Sequence, residues 1–415
     1  MKFLCFLLVP VVLAQVPKLT NTLSTDEKIT TYQKWVASDS FSASNRLLLA
    51  SAYIQKTRET TDFSYLDRAS KIVNTILESK ATYEAQRLRN LIELSRHEFS
   101  KVAEHAREMT VAAPNDPQNW GTLGDALMEL GQYEKALPAF QKMNSLRANL
   151  FSWNRLAYYR FVTGDSDGAL AIMNDAVRAG APNPENKAWC LSELGAMHFK
   201  LGHLDQAEAS YREAIAAFDT LHAAHAGLGA ILAARGDLEG AVAAYRRAKS
   251  ITPLVQYSGA LHDLFEAQSK PRETHQEAAQ IDLLMKLEEA SGQKANRTLA
   301  LILANQEREL SKALEIARAD LEVRKDIYTW DALGWVLLKN GKLEEAAKAS
   351  QEALKTGAKE PLLLYHSGMI ARAQANNPLA RAHLAAALAL NPGFDFKQSA
   401  IARKTLQLVT AESRP

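Results

Sequence analysis

Two stretches of the chain carry one pattern: LGAMHFKLGHLDQAEASYREAI at residues 194–215 and LGAILAARGDLEGAVAAYRRAK at residues 228–249. Landmark residues recur 34 positions apart (195 to 229, 202 to 236): Gly195, Gly202, Leu204, Ala207, Tyr211 and Ala214 return as Gly229, Gly236, Leu238, Ala241, Tyr245 and Ala248. Near the C-terminus the same spacing relates Gly334, Ala346 and Ala353 to Gly368, Ala380 and Ala387. A fixed period of this length is the signature of a repeat architecture.

The residue types within each repeat fit two helices joined by a tight turn. Small residues such as Gly195 and Gly229 let the first helix press closely on the second. Glycines at the turn allow positive φ, and they are Gly131, Gly164, Gly202, Gly236 and Gly341. Pro253 and Pro392 cannot continue a helix and mark the ends of second helices. The pattern therefore predicts helical hairpins.

These residues resemble the tetratricopeptide repeat family. One unit opens with the sequence from Trp120 to Gly124 and continues with Gly131, Tyr133, Ala136 and Phe140. Another opens with Trp330 to Gly334. The stretch from Asp326–Trp330 through Tyr365–Met369 is similar to a C-terminal block of exported bacterial repeat proteins of unassigned role. The resemblance implies an all-α fold, a right-handed superhelical solenoid of stacked helix-turn-helix hairpins with a concave groove lined by the first helix of each unit.

The strength of the repeat pattern predicts the domain organisation. Residues 42–255 form an array of about six repeats, residues 256–326 two degenerate helical repeats, and residues 327–394 two further repeats. A helical segment at 15–41 precedes the array, and a capping helix and tail at 395–415 follow it. In the first hairpin, which joins Leu47–Tyr53 to Leu66–Leu77, we expect a longer loop containing Thr57 to Asp62.

Composition limits the classes of function. The chain has 415 residues, too many for one ordinary core, and 47% of them are apolar, which excludes wholesale disorder. Lys and Arg number 49 against 47 for Asp and Glu, giving a net charge of +2. This balance creates no overall field for nucleic acid, so we expect no nucleic-acid partner.

The N-terminus has the features of an export signal. A positive Met1-Lys2 precedes an apolar core from Phe3 to Leu13, and small residues end at Ala14. We expect residues 1–14 to be a signal peptide cleaved after Ala14, with an uncleaved anchor as the alternative. The protein is then periplasmic or secreted, with no membrane-spanning helix in the mature chain. Its remaining cysteine, Cys190, has no internal disulfide partner.

The family resemblance also implies which residues face the groove, namely the second, fifth, ninth, twelfth and thirteenth of each unit. The candidate partner-binding residues at these positions are Phe151, Asn154, Tyr158, Phe161, Trp189, Phe199, Tyr328, Trp335, Tyr365 and Arg372. Aromatic residues often dominate protein interfaces, so a protein or peptide partner is expected there. Two alternatives stay open: the rings pack on the next repeat, or the N-terminal segment with Ile29, Tyr32 and Trp35 fills the groove.

Other constellations favour structural roles. His222 and His225 share a helical face, but no further ligand completes a metal site at a matching spacing. Cys190 has no marked base or oxyanion hole, so a buried thiol is the expectation. No catalytic residue, metal or cofactor is predicted. The competing hypothesis is an enzyme or metal-dependent factor with a site in residues 256–326, where the candidates are His262, Asp263, His275 and Asp282.

Overall fold

The computed structural model describes residues 23–60, 62–79, 81–179, 184–290 and 295–412. Over these residues all regular secondary structure is helical, which confirms the all-α prediction. The 22 helices of the described segments are α1 Thr25–Ser38, α2 Ala43–Thr60, α3 Phe63–Ser79, α4 Tyr83–Ser95, α5 Phe99–Ala112, α6 Pro117–Glu129, α7 Tyr133–Leu146, α8 Leu150–Val162, α9 Ser166–Arg178, α10 Pro184–Lys200, α11 Leu204–Ala217, α12 His222–Ala234, α13 Leu238–Ile251, α14 Val255–Ala267, α15 Pro271–Ala290, α16 Arg297–Asn305, α17 Leu310–Val323, α18 Ile327–Lys339, α19 Leu343–Leu354, α20 Pro361–Ala373, α21 Asn377–Leu390 and α22 Gln398–Ala411. The proposed signal, residues 1–14, lies outside the described residues. None of the described helices is both long and apolar enough to cross a bilayer.

The chain forms two compact units, one ending at Arg147 and the other running from Ala148 to Pro415. The boundary falls inside the array predicted at 42–255. It coincides with extended backbone at Arg147, which follows α7, and at Asn149, which precedes α8. Both residues have φ near −160°. Repeat regularity in the sequence therefore does not mark the division into units. The region 256–326 contains two helix hairpins, α14–α15 and α16–α17.

Among the described residues, nine hairpins, from α4–α5 to α20–α21, have a turn residue with positive φ. The five glycines expected at this turn all adopt positive φ, from 67° at Gly131 to 90° at Gly164. In four other hairpins the equivalent turn residue is not glycine but still has positive φ: His97, Ser269, Glu307 and Ala375. These four positions identify repeats whose glycine landmark is missing from the sequence. The hairpin geometry therefore persists where the sequence pattern weakens.

The loop expected from Thr57 to Asp62 is largely absent, and that prediction was wrong. Helix α2 continues to Thr60, and α3 begins at Phe63. The Thr57 hydroxyl donates to the Tyr53 carbonyl at 3.1 Å, and the Thr60 hydroxyl to the Lys56 carbonyl at 2.8 Å. Both threonine hydroxyls thus bond to the carbonyl four residues earlier, as helical threonines do, and compete for no backbone group outside the helix.

The N-terminal unit is held together by an apolar core along its first four helices. Ile29 and Tyr32 of α1 are buried there against residues of α2 that include Leu47 and Tyr53, and Trp35 packs at the edge. The alternative that these three residues fill a groove is therefore not what the structure shows. Helix α1 instead covers the apolar stripe of α2, which no preceding hairpin covers in the described residues.

In the C-terminal unit several first helices of successive hairpins pack on one another. Helix α10 contacts α12, α16 contacts α18, and α18 contacts α20. Most second helices pack between their own first helix and the next, as α11 does between α10 and α12. Helix α15 is the exception, since it packs on α14 but not closely on α16. The surface formed by the first helices is called here the first-helix face. Its helices are α8, α10, α12, α14, α16, α18 and α20. Stacked helix-turn-helix hairpins of this kind confirm the predicted solenoid.

Candidate partner-binding face

All ten candidate residues lie in the C-terminal unit, but they differ widely in exposure. Five of them are buried, with at most 9% of their surface exposed: Asn154, Phe161, Phe199, Trp335 and Tyr365. Five remain partly exposed: Phe151, Tyr158, Trp189, Tyr328 and Arg372. The four buried rings, Phe161, Phe199, Trp335 and Tyr365, pack within the protein. This agrees with the alternative that such rings pack on other repeats and do not face a partner. A partner can contact only the partly exposed set without rearrangement of the fold.

Part of the candidate set joins distant repeats to one another. The Lys200 ammonium at the end of α10 forms an ion pair with Glu360, which precedes α20. The Tyr328 hydroxyl donates to the same Glu360 carboxylate at 2.5 Å. The ammonium also lies 5.4 Å from the Phe161 ring centre and 4.8 Å from that of Tyr328. Phe161 and Tyr328 therefore take part in an internal contact between Lys200 and Glu360, which are 160 positions apart in the chain.

Backbone contacts accompany this polar cluster. The turn at Gly164 meets the loop after α19, where a Cβ atom on Gly164 would lie 2.6 Å from the Gly357 carbonyl oxygen. The turn at Gly202 meets the end of α21 just as closely, at the Leu390 carbonyl. Asn391 donates its side-chain amide to the Phe199 carbonyl at 2.5 Å. The early and late repeats of this unit are thus in direct contact, and only glycine fits at these turns.

The segment after α21 continues the contact along the early repeats. The Phe394 ring lies 5.5 Å from the Tyr365 ring, and Phe396 packs against the apolar cluster of α12 to α14. The Lys397 ammonium bonds Glu266 of α14 at 2.6 Å. Residues 391–397 therefore tie the last hairpin to the middle of the unit. In the sequence this segment is only a short connection before the predicted capping helix.

Trp335 and Tyr365 belong to a buried aromatic cluster. The Trp335 indole stacks on His366 at 4.2 Å and donates to the Asn305 side chain at 2.7 Å. His366 is held in turn by the Asp331 carboxylate, 2.9 Å from its Nδ1 atom. Each ring of the cluster fixes the next, so its members stabilise the stack of α16, α18 and α20. Their truncation is expected to damage the fold.

The Arg372 side chain forms an ion pair within the protein, at the C-terminal end of the unit. Its guanidinium makes two parallel bonds of 2.6 and 2.7 Å with the Glu412 carboxylate, which follows the capping helix α22. The contact attaches α22 to the last hairpin. Phe151, Tyr158 and Trp189 on α8 and α10 remain as the partly exposed aromatic residues of the candidate set outside the Lys200 cluster.

The other candidate constellations resolve into local contacts. His222 bonds the Tyr257 hydroxyl at 2.5 Å, and the described residues contain no group of three potential metal ligands. Cys190 is fully buried, and burial together with Glu193 raises the pKa of its thiol. In the irregular region Asp282 pairs with Arg308 at 2.6 Å, and His262 with Asp263 at 3.1 Å. No specific observation favours catalysis there.

One unusual residue of α10 was not singled out by the sequence analysis. Glu193 lies on α10, four residues after Trp189, and is partly exposed. Burial raises the pKa of its carboxyl to about 7, against the opposing effect of the Lys200 ammonium. Its equivalent 34 positions later is Gly227. A carboxylate at a position where the next repeat has glycine was the available signal.

Comparisons with known proteins agree with the repeat architecture. The tetratricopeptide repeat model matches residues 122–184, 194–254 and 332–393. No curated protein sequence matches the chain. Among solved structures, the Cut9–Hcn1 hetero-tetramer of the APC/C is 14% identical, with a TM-score of 0.42 over 93% of this chain and 67% of that one.

Two further solved structures illustrate the range of similar proteins. PilW, a type IV pilus biogenesis factor, is 15% identical, with a TM-score of 0.42 over 49% of this chain and 94% of its own. Yeast Tom70 is 13% identical, with a TM-score of 0.36 over 88% of this chain and 96% of its own. Identities and scores this low carry no information about partners. Its repeat pattern, its hairpin stack and the matched family model together show that this chain contains tetratricopeptide repeats, at residues 122–184, 194–254 and 332–393.

Proposed function

We propose that this chain is an exported scaffold that binds a protein or peptide partner on the first-helix face of its C-terminal unit. The observation that carries the proposal is the group of aromatic side chains on α8 and α10. Phe151, Tyr158 and Trp189 occupy family groove positions and remain partly exposed. Aromatic side chains give large contact area at small entropic cost, which suits an extended segment or a partner helix.

A pull-down with a matched pair of variants tests this proposal. The mature chain, the double variant Phe151→Ala/Trp189→Ala and the control Phe41→Ala are each used as bait in extracts of the source cells. Phe41 is a fully accessible ring, 91% exposed, that lies between α1 and α2 in the other unit. The control therefore removes an exposed aromatic ring without touching the proposed face.

The proposal predicts that proteins recovered with the wild type are lost with the double variant and retained with Phe41→Ala. Circular dichroism of the three baits checks that the helices remain intact. Equal recovery by wild type and double variant, with both folded, would show that the partner binds elsewhere.

Export is the second part of the proposal and rests on the apolar N-terminal segment from Phe3 to Leu13. Expression of the full chain in a host with a signal peptidase, followed by N-terminal sequencing of the extracytoplasmic fraction, tests it. We expect a mature N-terminus at Gln15. A chain recovered in the cytoplasm with residues 1–14 intact would contradict export.

A further inference from the structure

Residues 391–397, called here the strap, lie against the first-helix face at groove positions. The Asn391 side-chain amide donates to the Phe199 carbonyl at 2.5 Å. Phe396 packs on the apolar cluster that contains Ala233. Ala233 lies 34 positions after Phe199, so both have the same groove position in their repeats. The strap therefore covers groove positions of α10 and α12 with a segment of the chain itself.

Two adjacent strap residues make the contacts with α14. The Phe396 ring packs on a cluster that includes Leu264. The Lys397 ammonium lies 2.6 Å from the Glu266 carboxylate and 3.5 Å from that of Asp263. The surface of α12 and α14 under this pair, called here the α12–α14 patch, thus combines apolar side chains with two carboxylates. It holds an aromatic ring followed by a cation.

Side chains rather than backbone attach the strap to the patch. In the described part of the chain, no backbone–backbone hydrogen bond joins the strap to α10, α12 or α14. The Gly393 N–H donates to the Asn391 side chain at 2.8 Å. The Lys397 N–H donates to the Asp395 carboxylate at 2.9 Å, so both bonds stay within the strap. Phe396 and Lys397 can therefore leave the patch without the loss of a helical hydrogen bond.

The closed strap also buries polar groups that it does not fully satisfy. Burial raises the pKa of the Asp395 carboxyl, and the charge of Asp263 adds to the increase. The Oε1 atom of Gln398, next to the strap, is buried and has no hydrogen-bond partner among the described residues. Buried charges and buried polar atoms without partners destabilise an interface. The strap is therefore held less firmly than an apolar segment of the same size would be.

We propose that the α12–α14 patch binds a partner segment in which an aromatic residue precedes a lysine or arginine, and that Phe396 and Lys397 occupy it in the free protein. The inference rests on the proposed function and names the chemistry of the partner. The incoming ring replaces Phe396 on the apolar cluster, and the incoming cation replaces Lys397 beside Glu266. Phe394 stays 5.5 Å from the Tyr365 ring and keeps the strap attached to the late repeats.

The strap also sets how far a partner extends along the first-helix face. Phe151 and Trp189 on α8 and α10 are partly exposed in the free protein, whereas the patch beyond them is covered. A segment that carries the aromatic–cation pair contacts both surfaces, and a segment without it contacts α8 and α10 only. The patch selects among partners by charge, because Asp263 and Glu266 repel an acidic residue in place of the cation.

Fluorescence anisotropy with the mature chain tests this proposal. One labelled peptide has the strap sequence from Leu390 to Ser399, and a second has serine at both positions of the pair. The released variant Phe396→Ser/Lys397→Ser empties the patch. The control Phe41→Ser/Lys34→Ser removes the same two side chains from exposed positions of the other unit.

We expect the released variant to bind the strap peptide at least about tenfold more tightly than the wild type or the control does, because the wild-type patch is already occupied. The serine peptide should bind none of the three. Circular dichroism and thermal unfolding check that each chain is folded. If the released variant unfolds, Lys397→Ser alone replaces it; this change removes only the strap's ion pairs and should tighten peptide binding about threefold.

Equal binding of the strap peptide by the folded released variant and the wild type, including no binding by either, would show that Phe396 and Lys397 only brace the fold. Equal binding of the two peptides would likewise overturn the proposal. Recovery of a partner that depends on Phe151 and Trp189 would still support the scaffold function in those cases.

Discussion

At the scale of single residues, Glu193 on α10 shows what a largely buried carboxyl group does to stability. Burial raises the pKa of its carboxyl to about 7, above the ordinary value of 4.5. A native-state pKa above the unfolded value means that the folded protein binds more protons between these two values. The free energy of unfolding therefore falls as pH rises from about 4.5 to about 7, and the whole penalty is present above that range.

Removing the charge should stabilise the protein at high pH only. We expect Glu193→Gln to raise the free energy of unfolding by about 1–2 kcal/mol at pH 8, a value reduced for the partial exposure of the residue. The difference should vanish below about pH 3.5, where the carboxyl is protonated in both states. Urea unfolding of both proteins across this range measures it. A variant less stable than the wild type at pH 8 would contradict the assignment.

At the scale of elements, the turn inside each hairpin explains what the sequence revealed and what it concealed. Where glycine occupies the turn, as at Gly202 and Gly236, the repeats were predicted with their register. Where Ser269 or Glu307 takes the same conformation, the pattern of the sequence weakens although the hairpin is present. Stacking on neighbouring repeats imposes the turn there, and a local sequence pattern does not contain that information.

Replacing one of these strained residues by glycine should stabilise the array. Ala375 has a φ of 59° in the turn between α20 and α21. We expect Ala375→Gly to raise the free energy of unfolding by about 0.5–1 kcal/mol, because relief of left-handed strain exceeds the entropy cost of glycine. The exposed helical residue Ala386 is the control, and Ala386→Gly should lower it by about 1 kcal/mol. Chemical denaturation measures the free energy of unfolding of both variants. If both substitutions changed it in the same direction and by the same amount, Ala375 would not be strained.

At the scale of the whole molecule, the contact between early and late repeats is the feature that the sequence could not predict. Repeat signatures describe neighbours 34 positions apart, whereas Lys200 and Glu360 are separated by 160 positions. Phe161 was expected at an open groove but lies beside Lys200, the residue that makes this contact. Trp335 and Tyr365 are instead buried by neighbouring hairpins, through His366 and Asn305. Family positions give the direction in which a side chain projects, but packing between repeats decides whether it remains exposed.

Breaking this contact should cost far more than breaking an ordinary surface pair. Lys200→Met leaves Glu360, whose side chain is 4% exposed, without its cation, and we expect a loss of about 2–4 kcal/mol. Lys187 lies on the same helix α10 and pairs with Glu213 at 3.0 Å, with both side chains more than a third exposed. Lys187→Met should cost less than about 1 kcal/mol. Similar losses for both variants in urea unfolding would refute the role of the contact.

Hydrogen exchange of the C-terminal unit, with and without a partner recovered in the pull-down, tests the central claim most directly. Mass spectrometry resolves peptides of the first helices α8 and α10 from those of the second helices α9 and α11. We predict that the partner slows exchange in α8 and α10, which bear Phe151, Trp189 and Glu193, and leaves α9 and α11 unchanged. Protection confined to the second helices, or to the unit that ends at Arg147, would contradict binding on the first-helix face.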